Sequence, residues 1–304
     1  KAIFPLLFEK KILIDSLHLF NPDIRVTRLR TSTKDTTTVS DTGMSLPQEM
    51  GRIYNSIQDA LQVLKVNRFQ IDNGKFSLIN KIRPEEPPVV ITNIDFHLDN
   101  LQVDTTKEKN KKKILFSDNV ALQTTHQNIL FPDGRHRLSF RNFRINILNR
   151  FVEFDSCTVT ATKGDSAKNS FSIFFDKLQM TNIDFAALYH NEIIKADSVY
   201  CINPKFRLDV DLEKRTIPAK APPNLNELVQ QLTGDMQLAF VVVENGSFDI
   251  NTLREGRPSS FTSDHNNFEL QGFEVKKDGP RALTVEKFIM AIRNYENFLR
   301  DSAY

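Results

Sequence analysis

From Phe206 to Glu213 apolar and charged residues alternate without exception: Phe206, Leu208, Val210 and Leu212 are separated by Arg207, Asp209, Asp211 and Glu213. A period of two places successive side chains on opposite faces of a strand, so this run predicts a strand with one oily and one wet face. Shorter runs of the same kind occur at Phe69/Ile71, Phe76/Leu78, Ile94/Phe96/Leu98, Leu101/Val103, Phe143/Ile145/Ile147, Phe171/Ile173/Phe175, Met236/Leu238/Phe240/Val242 and Phe268/Leu270, each bounded by turn or loop residues. The expectation is a mainly β protein, an antiparallel sheet built as long meanders. Two segments change period. Leu46, Met50, Ile53, Ile57, Leu61 and Leu64 recur at helical spacing, with Ser45 and Gln48 as a capping box and Pro47 in the first turn. Leu225, Leu228, Val229 and Leu232 follow Asn224 in the same way, with Glu227 three residues on. Two short helices, near 46–64 and 225–232, are therefore predicted to lie against the sheet.

The chain repeats itself. Leu6 to Arg28 aligns without a gap on Leu188 to Val210, and both segments carry Asp-Ser, four residues, Asn-Pro, two residues, Arg: Asp15-Ser16, Asn21-Pro22 and Arg25 against Asp197-Ser198, Asn203-Pro204 and Arg207. Each copy then runs through a polar stretch and a helical pattern to Asn-Gly-x-Phe, at Asn73-Gly74 and Asn245-Gly246. A third match sets Leu138–Ser156 against Leu283–Ser302. Self-similarity of this kind marks a repeat architecture. Two units are expected, 1–165 and 166–304, the first beginning and the second ending within a repeat, as in a piece of a longer protein. The pentapeptide Thr-Asn-Ile-Asp-Phe occurs at both 92–96 and 181–185, out of register with the other matches, and reads as shared strand vocabulary.

Charge narrows the function classes. Lys+Arg 40 against Asp+Glu 38 leaves +2 over 304 residues, which gives no electrostatic footprint for nucleic acid. Apolar surface falls to phenylalanine, 24 residues, with no tryptophan. Cys157 and Cys201 lack metal-ligand spacing and read either as buried small hydrophobes or as one disulfide. The longest strongly apolar run, Ala239–Val243, is too short to cross a membrane as a helix. No nucleophile elbow, metalloprotease helix, P-loop or dinucleotide fingerprint occurs, and the six histidines are dispersed, so neither an enzyme nor a metal or cofactor is expected. Asp-Ser pairs at 15, 155, 197 and 301 recur too often to be one nucleophile and point to a task that each repeat needs at its strand starts, such as an Asx or Ser turn that sets strand register. Asp209, Asp211 and Glu213 read as the wet face of a strand rather than a cation site.

The motifs Met180-Thr-Asn-Ile-Asp184, Ile14-Asp-Ser-Leu17 through Pro22, the Leu225 helix and Glu244-Asn-Gly-Ser-Phe248 together resemble the repeats of AsmA-like proteins, relatives of TamB, in their Bacteroidota forms. The resemblance spans nearly the whole chain and carries no catalytic residue. It implies a periplasmic body tethered to the inner membrane by an N-terminal helix that this sequence lacks, an elongated, curved, taco-like sheet with a hydrophobic groove, and a part in lipid transfer or outer-membrane biogenesis. Acyl chains would then lie against Phe69, Ile71, Phe76, Leu78, Phe96, Phe143, Ile145, Ile147, Phe171, Ile173, Phe206, Leu208, Val210 and Phe240. Arg137, Arg141 and Arg144 would be candidates for lipid head groups, and a solvated strand face is the simpler account of them. The alternative is a structural scaffold or adhesion module whose apolar faces close on one another.

Overall fold

The structure is a computed structural model, and it describes residues 13–28, 65–82, 84, 87–102, 117–131, 134–162, 170–191, 193–211, 234–254, 256–276, 283–292 and 294–299. The strands are β1 (Leu13–Phe20), β2 (Asp23–Arg28), β3 (Lys65–Asn80), β4 (Val89–Gln102), β5 (Asn119–Leu130), β6 (His136–Asn146), β7 (Phe151–Ala161), β8 (Ser170–Thr181), β9 (Ile193–Ile202), β10 (Lys205–Asp211), β11 (Asp235–Arg254), β12 (Arg257–Val275), β13 (Leu283–Thr284), β14 (Lys287–Ala291) and β15 (Asn294–Leu299). One helix, α1 (Phe185–Asn191), lies between β8 and β9. All fifteen described strands belong to a single sheet, as the mainly β expectation requires. Both helices expected from the 46–64 and 225–232 patterns lie outside the described residues.

The sheet is mixed rather than wholly antiparallel. β3 through β8 form an antiparallel meander. β1 and β2, however, run parallel to β3, and β9 and β10 run parallel to β11. A parallel pair needs a crossover of a dozen or more residues, and the chain between the partners, 29–64 and 212–234, is long enough.

Each Asn-Pro pair interrupts a strand without ending it. β1 follows the first half of β3 and β2 the second, with Asn21 N–H donating to the Asp72 carbonyl (2.9 Å) and Lys75 N–H to the Pro22 carbonyl (2.8 Å). β9 and β10 divide β11 in the same way: Asn203 N–H donates to Glu244 (2.9 Å) and Ser247 N–H to Pro204 (2.8 Å). Proline has no N–H for the ladder, so it sits at the break where none is needed. The two units superpose residue by residue here. Asn73 Nδ2 donates to Asn21 Oδ1 (2.6 Å), Asn245 Nδ2 to Asn203 Oδ1 (2.7 Å), and the N–H groups of Asn73 and Asn245 donate to Asp95 and Asn267.

The third sequence match is re-assigned by the pairing. β14 and β15 pair with β12 as β5 pairs with β4, so residues 283–299 stand in the place of β5 and not of β6. The repeated block is β1–β5 against β9–β15, with β6, β7 and β8 between. The 165/166 boundary falls in the connection between β7 and β8, which are paired from Phe151↔Thr181 to Ala161↔Phe171.

Candidate functional site: an apolar face held in line by two creases

Few of the strands keep one alternation from end to end. In β3 the buried apolar positions are Val66, then Phe69 and Ile71, then Phe76; in β4 they are Leu101, then Leu98 and Phe96, then Val89. Odd and even positions change places twice, because one extra residue is inserted at each change. The extra residue carries a left-handed backbone where it falls on Asn21, Asn73, Asn93, His126, Ser156, Asn203, Asn245 and His265, all with φ between 49° and 56°. Asparagine tolerates this region far better than branched residues do, which explains its recurrence. In β6 and β8 the equivalent positions are Arg141 and Asp176, facing His126, Ser156 and the Asn203 break across the ladder. The result is a crease that crosses the sheet transversely. Since neighbouring strands slip at the same level, the ladders from β5 to β8 keep one register throughout.

A second crease crosses β1, β3 and β4 in the first unit and β9, β11 and β12 in the second. It passes through Asp15, Asn67 and Asn100, joined by an Asn67–Asp15 side-chain hydrogen bond (2.9 Å), and through Asp197, Ala239 and Gly272. Asn100 and Gly272 both have positive φ, 53° and 61°. Two of the Asp-Ser pairs lie here and a third, Asp155-Ser156, lies on the first crease. They mark strand slips rather than strand starts; Asp301-Ser302 lies outside the described residues.

The creases keep the apolar side chains on one face. Phe69, Ile71, Phe76, Phe96, Phe143, Phe171 and Leu208 are buried, while Leu78, Ile145, Ile147, Ile173, Phe206 and Val210 are partly buried beside them. Phenylalanines form two runs. Phe140, Phe143, Phe154 and Phe175 meet at the first crease with ring centroids 4.5 to 6.5 Å apart. Phe206, Phe248, Phe268 and Phe288 step across β10, β11, β12 and β14 at 6.1 to 6.4 Å. Among the described residues each buried cluster is built from ladder neighbours, and α1 adds Phe185 and Leu188 at β9. Asp184 caps that helix through the Ala187 N–H (2.9 Å).

Phe240 does not join this face. Its cross-strand partners are Ser198 and Gln271, whereas those of Val241 are Val199 and Leu270, and Phe240 is 51% exposed. The second crease at Ala239 turns the alternation over after Leu238, so Val241 and Val243 point inward in place of Phe240 and Val242. Counting by twos through a hidden insertion produced the wrong assignment.

The three arginines take the solvated-face arrangement and not the head-group one. Arg137 and Arg144 alternate with the inward-facing Leu138, Phe143 and Ile145, so they project from the polar face, and Arg141 is exposed at the slip between them. Arg137 donates to Asn128 (2.9 Å). Arg144 pairs with Glu153, whose side chain is only 4% exposed and which Lys177 also approaches at 3.0 Å. They do not rim the apolar face. Asp209 is held by Arg207 (3.3 Å) and by the Asn251 amide (3.1 Å), the polar-face neighbours expected of it. A cavity of about 330 Å³ opens beside it at the strand ends, lined by Val210, Asp211, Thr252, Leu253 and Pro258 among others.

Sequence reasoning missed the buried amides. Pairing of β4 with β5 stops at Ile94↔Thr124, and below it the Gln127 side chain takes over, accepting from the Thr92 N–H (3.1 Å) and donating to the Thr92 carbonyl (2.5 Å). Asn266, wholly buried in β12, likewise donates to the Gly246 carbonyl (3.0 Å). A polar residue at an inward position of a strand was the available signal. Cys157 and Cys201 are free thiols on β7 and β9, with β8 between them. Strands two apart are roughly 9.5 Å distant, beyond disulfide reach. Burial pushes both thiols up to about 12, and for Cys157 the neighbouring Cys201 adds to it. Among the described residues no three His, Cys, Asp or Glu side chains come together as metal ligands, and no helix is long and apolar enough to cross a membrane. No protein-family model, curated protein or solved structure matches the chain.

Proposed function

We propose that this chain is a non-enzymatic, lipid-handling segment of an AsmA-like envelope protein, and that acyl chains lie along its apolar face. One observation carries the reading: two transverse creases, repeated in both units, keep an oily face continuous across strand after strand, although each strand would otherwise turn it over. Many side chains on that face are only partly buried, among them Ile145, Ile147, Ile173, Phe206, Phe248 and Phe268, and a face sealed in a sandwich core would bury them fully. A strand of seven residues spans roughly 23 Å, comparable to an extended acyl chain. On this reading the parent protein is periplasmic, is held to the inner membrane by a helix outside this sequence, and serves outer-membrane lipid supply.

The scaffold reading is favoured by a different observation. Val66, Leu98, Leu101 and Val275 are at most 1% exposed, as in a closed core. Solvent extraction of the purified chain followed by mass spectrometry separates the two. Co-purifying phospholipid, reduced in Ile173→Glu with the circular dichroism unchanged, supports lipid handling. A chain that never carries lipid, and that Ile173→Glu merely unfolds, supports the scaffold.

A further inference from the structure

The repeat shows a position that no described strand fills. In the second unit the broken strand β9–β10 is flanked on both sides: β11 runs parallel on one side, and β8 runs antiparallel on the other through Leu178↔Cys201, Phe206↔Ile173 and Leu208↔Phe171. Asn203, at the break, serves both neighbours. Its Oδ1 accepts from Asn245 (2.7 Å), and its Nδ2 donates to the Asp176 carboxylate of β8 (2.6 Å). In the first unit β1–β2 has β3 on one side, and among the described residues no strand lies on the other. Asn21 Oδ1 accepts from Asn73 in the same way (2.6 Å), but its Nδ2 donates to no described residue. Burial follows the same contrast. Val199 and Leu208 are 5% and 8% exposed under β8, whereas their equivalents Leu17 and Val26 are only partly buried.

We infer that the outer edge of β1–β2 is a docking site for an extended protein segment of the β8 type: antiparallel, apolar at alternate positions against Leu17, Leu19, Ile24 and Val26, with one carboxylate at the level of Asn21. Strand addition to an open edge gains main-chain hydrogen bonds, and the carboxylate sets the register through a charge-assisted bond to the Asn21 amide. Docking at this edge does not depend on lipid binding.

The probe is a labelled peptide of Ser170–Thr181, titrated against the full chain by fluorescence anisotropy, with hydrogen exchange reporting where it sits. Binding is expected to protect amides of residues 13–28. Asp176→Ala in the peptide is expected to weaken binding roughly tenfold, the size of one charge-assisted hydrogen bond. Asn21→Gly in the chain, which keeps the left-handed backbone while removing the amide, should weaken it equally, and Asn203→Gly should not. Absence of binding, equal affinity of the Asp176→Ala peptide, or protection elsewhere in the chain overturns the assignment. So does a chain that pairs with a second copy through residues 13–28 and excludes the peptide.

Discussion

At the scale of single residues the creases impose requirements that ordinary strand positions do not. Asn73 holds φ of 52°, where alanine is disfavoured by about 1 to 2 kcal/mol. Asn73→Ala is expected to lower the urea midpoint accordingly, and Asn73→Gly to retain most of the stability. Gly74 is demanded by crowding: a Cβ there would stand 2.6 Å from Ile71 Cγ2, on a side chain stiff at χ1, whereas at Gly246 the nearest atom would be 3.3 Å away. Gly74→Ala should therefore cost about 1 to 3 kcal/mol and Gly246→Ala distinctly less, as read from paired denaturation curves. Titration follows from neighbours. Asp72 is held below its usual 3.8 by the Gln70 amide first and then by His18. A lowered carboxylate contributes stability above its unfolded value and loses it as pH falls through the folded one. Gln70→Ala should bring the Asp72 titration, followed by carboxylate NMR, back up toward 3.8. The cysteines behave oppositely. Their folded values are raised from 9.0 to about 12, so stability is lost progressively as pH rises from 9 toward 12. At pH 8 both thiols should alkylate far more slowly in the native chain than in urea.

At the scale of elements, a buried carboxylate ties β6, β7 and β8 together on the polar face. Glu153 is nearly inaccessible, while Arg144 and Lys177 keep 48% and 39% of their side chains exposed. Removing both cations strands the buried charge, whereas Glu153→Gln leaves two cations that water can solvate. The Arg144→Ala/Lys177→Ala double variant is thus expected to lose about 3 to 5 kcal/mol and Glu153→Gln clearly less, by thermal or chemical unfolding. The same scale shows what the sequence could disclose. Strands such as Phe206–Asp211 and the Asn-Pro and Asn-Gly repeats were legible because alternation and turn chemistry are local. The creases were not, because an inserted residue looks like one more polar position until its neighbours show the same slip; Phe240 was misplaced for this reason. Parallel entry of β1 and β9 depends on a crossover that no local pattern announces. The pentapeptide at 92–96 and 181–185 makes the point directly. Asn93 and Asn182 are both left-handed, yet the first copy continues as strand through His-Leu-Asp, and the second enters α1 through Ala186-Ala187-Leu188, better helix formers. The site was legible as a list of oily positions and the arginines as a solvated strand face, whereas the partners that hold Arg137 and Arg144 required the ladder.

At the scale of the whole molecule, each strand is stabilised mainly by the strands beside it. Such an assembly is quasi-one-dimensional, with stability close to a sum of neighbour interfaces. Hydrogen exchange should accordingly be slowest in β5–β8, which have partners on both sides, and faster in β1–β2 and β13–β15 at the margins. Uniform protection across the sheet would instead indicate a single cooperative core. The far margin is also the oilier one: Phe288, Ile289, Met290 and Ile292 are 39 to 57% exposed, and among the described residues no strand lies beyond β14, an arrangement that promotes self-association. Concentration-dependent sedimentation that Ile289→Lys suppresses is the expected behaviour.

The creases finally restrict how the chain can change length. Deleting one residue from a single strand would turn everything beyond the deletion inside out, sending phenylalanine to the polar face and aspartate to the apolar one. Deletions are tolerable only when adjoining strands lose a residue together, or in the joins between strands. The two units differ in length where this predicts, with residues 29–64 joining the parallel partners in one and only 212–234 in the other.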